Sequence, residues 1–290
     1  MKAGFWVAPE GEDAAISMQP IGSDGAEIRK GSVTGTGALS FLATSNAAAL
    51  IARCPAIADM LPKITAALEV QSETAPGILF DLSPLNPDEA LLITEVLGEG
   101  EVAATVALPD GVVAQIQESV FAGLWRVRFT SATGELLADY AEVSAVPQAI
   151  RRAAAMTLPE LSIGDAPAGL MNAMPVLTEI ADRARRYEPD APSHTISLTL
   201  LPMSPEDIEF LMASLGTGPV RIVSRGYGTC RVQATAIHNV WSVQFFNAMD
   251  TLLLDTLEIG GVPVVASAAE EDFRDSAERL REIEEAYFRD

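Results

Sequence analysis

The feature that most constrains this chain is that it repeats itself, because two copies of one pattern are expected to fold as two copies of one unit. Leu82-Ser83-Pro84-Leu85-Asn86-Pro87-Asp88 returns as Leu200-Leu201-Pro202-Met203-Ser204-Pro205-Glu206, with Pro205 standing 118 positions after Pro87. Leu97-Gly98-Glu99-Gly100-Glu101-Val102 returns at the same spacing as Leu215-Gly216-Thr217-Gly218-Pro219-Val220. The spacing then becomes 116: Trp125-Arg126-Val127-Arg128-Phe129 matches Trp241-Ser242-Val243-Gln244-Phe245. The new register continues through Leu136, Leu137, Asp139, Glu142, Val146 and Pro147, which match Leu252, Leu253, Asp255, Glu258, Val262 and Pro263.

Each copy reads as a strand, a helix and three further strands. An apolar or alternating run (Ile78 to Leu82; Ile196 to Leu201) leads into Asn86-Pro87 or Ser204-Pro205, a capping residue followed by proline at the first helical position. Ile208, Leu211, Met212 and Leu215 then fall on one helical face, and Gly216 supplies the stop. Ala90, Ile93, Leu97 and Gly98 do the same in the first copy. Runs at Val102 to Leu108, Val112 to Ser119 and Leu124 to Phe129, with counterparts near Val220, Val232 and Val240 to Phe246, predict antiparallel strands.

Helices are also expected at about Ala47 to Val70 and Leu170 to Tyr187, with a last one from Ser267 to Phe288. Ser267 and Glu270 suggest a capping box for it, and Phe273, Ala277, Leu280, Ile283 and Tyr287 form an apolar stripe for its own sheet or a second chain. The fold class is therefore α+β, a doubled β-α-β-β-β unit with mostly antiparallel sheets and flanking helices. The expected division is a weakly ordered segment over residues 1–44, a first repeat over 45–158 and a second over 159–290. Gly31-Ser32-Val33-Thr34-Gly35-Thr36-Gly37 lacks the lysine of a phosphate loop and reads as a flexible connection.

Charge and apolar patterning narrow the function. No stretch is apolar enough for a membrane span, and the acidic N-terminus is unlike a signal peptide, so a cytoplasmic protein without membrane insertion is expected. Cys54 and Cys230 are far apart, which fits a reduced compartment. With 40 acidic against 19 basic residues the net charge is −21, which argues against nucleic acid as a partner; it reads first as an acidic surface that keeps the protein soluble, and it would also attract basic segments of other proteins.

Positions common to both copies, Trp125/Trp241, Asp139/Asp255 and Glu142/Glu258, read first as structural, with a matched acid as one acceptor for a buried indole N–H. Function is sought where the copies differ. The second copy alone carries Arg225, Tyr227, Cys230 and Arg231, then His238 and Asn239, then Gln244, Asn247 and Asp250. Ala114 stands where Cys230 would be in the first copy. A thiol enzyme would use Cys230 with His238 and Asp255, but His238 is expected at a hairpin turn, out of reach. One thiolate does not hold a cluster, so no metal site or cofactor is expected. Arg225, Tyr227 and Arg231 are instead expected at one sheet edge, as anchors for a partner.

These residues resemble the HupH/HyaF family of hydrogenase-maturation proteins. The resemblance lies in Gly226-Tyr227-Gly228-Thr229-Cys230-Arg231, in Asn239-Val240-Trp241-Ser242-Val243-Gln244-Phe245, and in Leu257-Glu258-Ile259-Gly260-Gly261-Val262-Pro263. It implies a cytoplasmic, non-enzymatic accessory protein or chaperone for uptake nickel-iron hydrogenase. Its expected partners are the iron-sulfur small-subunit precursor before export and other maturation proteins. A thiol-dependent enzyme using Cys230 and a structural homodimer built on the terminal helix are the alternatives.

Overall fold

The fold was taken from a computed structural model, which describes residues 53–288 apart from Asp190 and Tyr227. Expectations for residues 1–44, for the start of the first helix and for Tyr227 fall outside the described residues. In chain order the elements are α1 (Pro55–Val70), β1 (Ile78–Asp81), α2 (Pro87–Leu97), β2 (Val102–Ala107), β3 (Val113–Glu118), β4 (Leu124–Thr130), β5 (Leu136–Val143) and α3 (Gln148–Ala155). They continue with α4 (Ala173–Arg186), β6 (His194–Ser197), α5 (Pro205–Leu215), β7 (Val220–Arg225), β8 (Thr229–Ala234), β9 (Val240–Phe246), β10 (Leu252–Ile259) and α6 (Glu270–Tyr287). The class is α+β as expected, but the strands form one antiparallel sheet of ten, in the order β1-β5-β4-β3-β2-β7-β8-β9-β10-β6.

The halves have the same element order, and each carries one more strand than the sequence suggested. The extra strands are β5 and β10, whose first halves are exposed and so show no clear alternation of burial. The halves join through β2 and β7, from Val102 opposite Ser224 to Val106 opposite Val220. Equivalent side chains make equivalent bonds. Gln117 Nε2 donates to the carbonyls of Gly100, Val102 and Glu118, and Gln233 Nε2 donates to those of Gly218, Val220 and Ala234.

Helix starts follow the sequence closely. Asn86 and Ser204 cap α2 and α5 by accepting the N–H of Glu89 at 3.0 Å and Asp207 at 3.1 Å, and each acid returns a bond to its cap N–H. Asp207 also accepts the N–H groups of Met171, Asn172 and Ala173, each at 3.0 Å, which fixes the start of α4 against α5. Burial would raise the Asp207 pKa, but these backbone donors outweigh it and hold the carboxylate at about 2. Gly98 and Gly216 end α2 and α5 at φ 57° and 62°, a region costly for residues with a Cβ.

Strand alternation gives the sheet two different faces. On one face Val106, Ile116, Trp125, Val127, Ile222, Val232, Trp241 and Val243 form a central core beneath α3 and the turn at Val264–Ala266. Trp125 and Trp241 both belong to this core and are buried. Neither indole is bound by a matched acid: Trp125 Nε1 donates to the Ser144 carbonyl at 2.8 Å, and Trp241 Nε1 has no hydrogen-bond partner among the described residues. Glu142 accepts the Gln148 N–H at 2.8 Å instead.

The other face carries two separate helical layers. Helices α1, α2 and α6 cover Leu124, Ala141 and Val143, while α4 and α5 cover Val240, Leu257 and Ile259. The apolar stripe of α6 thus packs on the first half of the chain, against α1, with Phe273, Ala277, Leu280 and Ile283 buried. It is not available for a second chain. The Ser267–Glu270 capping box does not form either: Ser267 closes the turn at Val264, and Asp272 accepts the N–H of Ala269 at 2.7 Å. The Ala268 N–H is bound to the Ala145 carbonyl, which moves the helix start past Ser267.

Candidate partner-binding site

Between the helical layers no described element covers the second face, and its floor is polar. Strands β3, β2, β7 and β8 bury one face and leave alternate residues on the other, among them Gln115, Arg221, Arg225 and Arg231, exposed. The register puts Arg231 opposite Gln244 and Val223, and Arg225 opposite Thr229. Arg225, Arg231 and Gln244, three of the nine candidates, therefore share this floor, with Asp250 at its end. The expected sheet edge is corrected: β7 and β8 are central strands, so these arginines stand on a face.

Each of these side chains has a definite environment. Arg231 donates Nη2 to Asp250 Oδ1 at 2.9 Å, and its guanidinium lies 4.2 Å from the centre of the Phe246 ring. Gln244 Nε2 donates to Asp255 Oδ2 at 3.2 Å. Burial raises the Asp255 pKa and this bond lowers it, with burial dominant. Arg225 gives its N–H to the Glu101 carbonyl at 2.9 Å and keeps its side chain in solvent.

The other candidates lie elsewhere. Asn247 Oδ1 accepts the N–H groups of Met249 at 2.9 Å and Thr251 at 3.0 Å, so it shapes the β9–β10 hairpin. Asn239 takes φ 60° at the corner where the first half has Gly123 at 82°, and His238 sits in the same turn. His238 Nδ1 is 3.2 Å from the Ala154 carbonyl and 3.5 Å from Thr157 Oγ1, contacts that pin the chain after α3. Tyr227 falls outside the described residues.

Cys230 faces the opposite way, into the central core, paired with Phe245 as Ala114 is paired with Phe129. Burial, with the nearby Glu258 carboxylate adding to it, pushes the thiol to about 11, so at neutral pH it is protonated and a poor nucleophile. No group of three or more metal-ligating side chains occurs among the described residues.

Three floor residues escaped the sequence reading. Arg126 reaches Asp139 through two bonds of 2.8 and 3.1 Å and touches Thr94 Oγ1 of α2 at 2.7 Å, Arg128 is 3.7 Å from Asp139, and Arg221 is exposed. Their signal was the alternate-residue spacing of Arg126 with Arg128 and of Arg221 with Arg225, which puts each pair on one strand face.

Comparison with known proteins settles the family. The family model for the HupH hydrogenase expression protein, C-terminal conserved region, matches residues 51–157 and again residues 170–287. The chain belongs to this family. It is 56% identical to the hydrogenase expression/formation protein HupH of Rhizobium leguminosarum bv. viciae over the whole of both chains. It is 39% identical to the hydrogenase-1 operon protein HyaF of Escherichia coli K12, over 74% of this chain and 75% of that one. A solved structure of the hydrogenase expression protein HupH from Thiobacillus denitrificans is 29% identical, covering 42% of this chain and 99% of its own at a TM-score of 0.38. A maturation role follows for the family member described here. No helix among the described residues is long and apolar enough to cross a membrane.

Proposed function

We propose that this protein is a cytoplasmic, non-enzymatic chaperone in the maturation of an uptake nickel-iron hydrogenase, holding the iron-sulfur small-subunit precursor before export. The observation that carries this is the full-length 56% identity to a hydrogenase expression/formation protein. The open floor supports it, since a broad polar face between two helical layers suits a protein client better than a small substrate. The protonated, inward-facing Cys230 supports the non-enzymatic part. The net charge of −21 adds long-range attraction for a basic export signal. The family model's two matches also support reading the halves, 45–158 and 159–290, as one doubled module.

The test is co-purification of the tagged full chain with co-expressed small-subunit precursor, with and without its basic leader and over a range of ionic strength. A stable complex that weakens as salt rises, and that forms less well without the leader, is expected. Eluates free of the small subunit would overturn the reading. A complex indifferent to salt would remove its electrostatic part.

A further inference from the structure

We propose that the arginine-lined floor is a docking groove for an extended acidic segment of the client protein. This rests on the client-binding reading above and names the chemistry of the contact.

The argument is placement against composition. In a chain with 40 acidic and 19 basic residues, exposed positive charge should be scattered and neutralised. Yet Arg126, Arg128, Arg221, Arg225 and Arg231 stand on one face of the adjacent strands running from β4 to β8. The acids beside them answer only part of this charge. Asp139 binds Arg126 and lies 3.7 Å from Arg128, and Asp250 binds Arg231. Asp255 accepts Gln244 rather than an arginine. Glu99 is near enough to feel Arg225 but forms no ion pair with it, and Glu101 meets Arg225 through its backbone carbonyl. Arg221 and Arg225 are exposed without an ion pair to any described residue. Arg128 Nε is enclosed and lacks a hydrogen-bond partner among the described residues.

The shape and charge select one occupant. Strands about 4.8 Å apart make the exposed part of the floor, from β3 to β8, roughly 14 Å wide, enough for an extended segment laid along the strands. A free guanidinium presents paired donors that match a carboxylate. A short acidic segment brings only a few negative charges, all into the groove. A polynucleotide would lay a continuous phosphate chain across a protein of net charge −21.

The experiment measures fluorescence anisotropy of labelled acidic, neutral and basic peptides of equal length against the full chain. The acidic peptide should bind with an affinity that falls with salt, and the neutral one should not bind. The variant Arg221→Gln/Arg225→Gln should lose about tenfold or more of acidic-peptide affinity, with an unchanged thermal midpoint and unchanged basic-peptide binding. Arg183→Gln/Arg185→Gln, on the exposed side of α4, should bind like the parent. Absence of acidic-peptide binding, retention of it in the first variant or equal loss in the second would overturn the proposal. So would crosslinking from a photoreactive group at Gln115 onto nucleic acid, or onto this chain's own residues 1–52, in place of the client. If the acidic peptide fails while the small-subunit precursor still co-purifies, the groove falls and the maturation reading stands. If the peptide binds but no precursor is recovered, the reverse holds.

Discussion

The two halves share a strand order and a set of helix caps, but they complete their cores from different places. The second half covers its sheet with α4 and α5, helices near it in sequence, together with Leu161 and Ile163 of the preceding segment. The first half covers its sheet with α1 and α2 and then with α6, contributed from the far end of the chain. Glu284 of α6 is buried and accepts the Thr65 hydroxyl of α1, and Arg281 pairs with Glu69. Gly123 shows how closely the layers meet: a Cβ there would lie 2.4 Å from the Phe273 ring, while its counterpart Asn239 has room for a side chain. Equivalent sheets therefore do not make independent domains. What decides independence is the origin of the covering helices, and here the first half depends on the last twenty or so residues of the chain.

The sharpest test of that dependence is truncation after Val265. It removes Phe273, Leu280 and Ile283 from the first core, at about 1.5–3 kcal/mol for each large apolar side chain, a total comparable with the whole stability of a typical domain, about 5–15 kcal/mol. Loss of cooperative unfolding in calorimetry is expected; a truncated chain that melts like the parent would contradict the assignment of α6 to the first half. Next come the matched tryptophans. Trp125→Ala and Trp241→Ala should each cost about 3–5 kcal/mol in urea unfolding. Trp125→Phe should cost about 1 kcal/mol more than Trp241→Phe, because only Trp125 loses a hydrogen bond. Equal Phe penalties would mean that the two pockets are alike in polarity.

A third test uses a position where the halves differ in charge. Glu118 lies opposite Trp125, while Ala234 lies opposite Trp241. Burial raises the Glu118 pKa to about 7, with Asp272 and Glu101 adding and the N–H groups of Gly123 and Val102 opposing. Because the folded pKa exceeds that of an unfolded glutamate, the contribution is fully present below about pH 4.5 and is lost as pH rises through about 7. That loss is on the order of 3 kcal/mol. Glu118→Ala, which copies the second half, should flatten this part of the stability profile against pH; a profile unchanged by the substitution would show that Glu118 is solvated. The smallest effect is expected at the other mismatch. Cys230→Ala, which copies Ala114, should cost about 1 kcal/mol or less and leave client recovery unchanged. Loss of client binding in a folded Cys230→Ala protein would return the thiol to the functional site.

Much of the half-unit was legible in the residues themselves. Asn86-Pro87, Ser204-Pro205, Gly98 and Gly216 announced the helix limits, because a cap, an N1 proline and a left-handed glycine act through bonds only a few residues long. The fourth strand after each helix was missed because Leu136, Leu137, Leu252 and Leu253 are exposed and blur the alternation that marks a strand. The candidate site was legible in part: Arg225, Arg231 and Gln244 do share a face, whereas Cys230 and His238 do not join them.

What the sequence determined by itself was therefore local: where helices start and stop, which residues alternate along a strand, and that one pattern occurs twice. Three things waited for the tertiary structure: the merging of both halves into one sheet through β2 and β7, the packing of α6 on the opposite half, and the gathering of arginines from β4, β7 and β8 onto one floor. The physical reason is range. Capping and alternation depend on neighbours along the chain, but strand pairing and helix docking depend on which apolar faces meet across more than a hundred residues. The sign of a surface is set by that meeting, and neither the net charge nor any single motif records it.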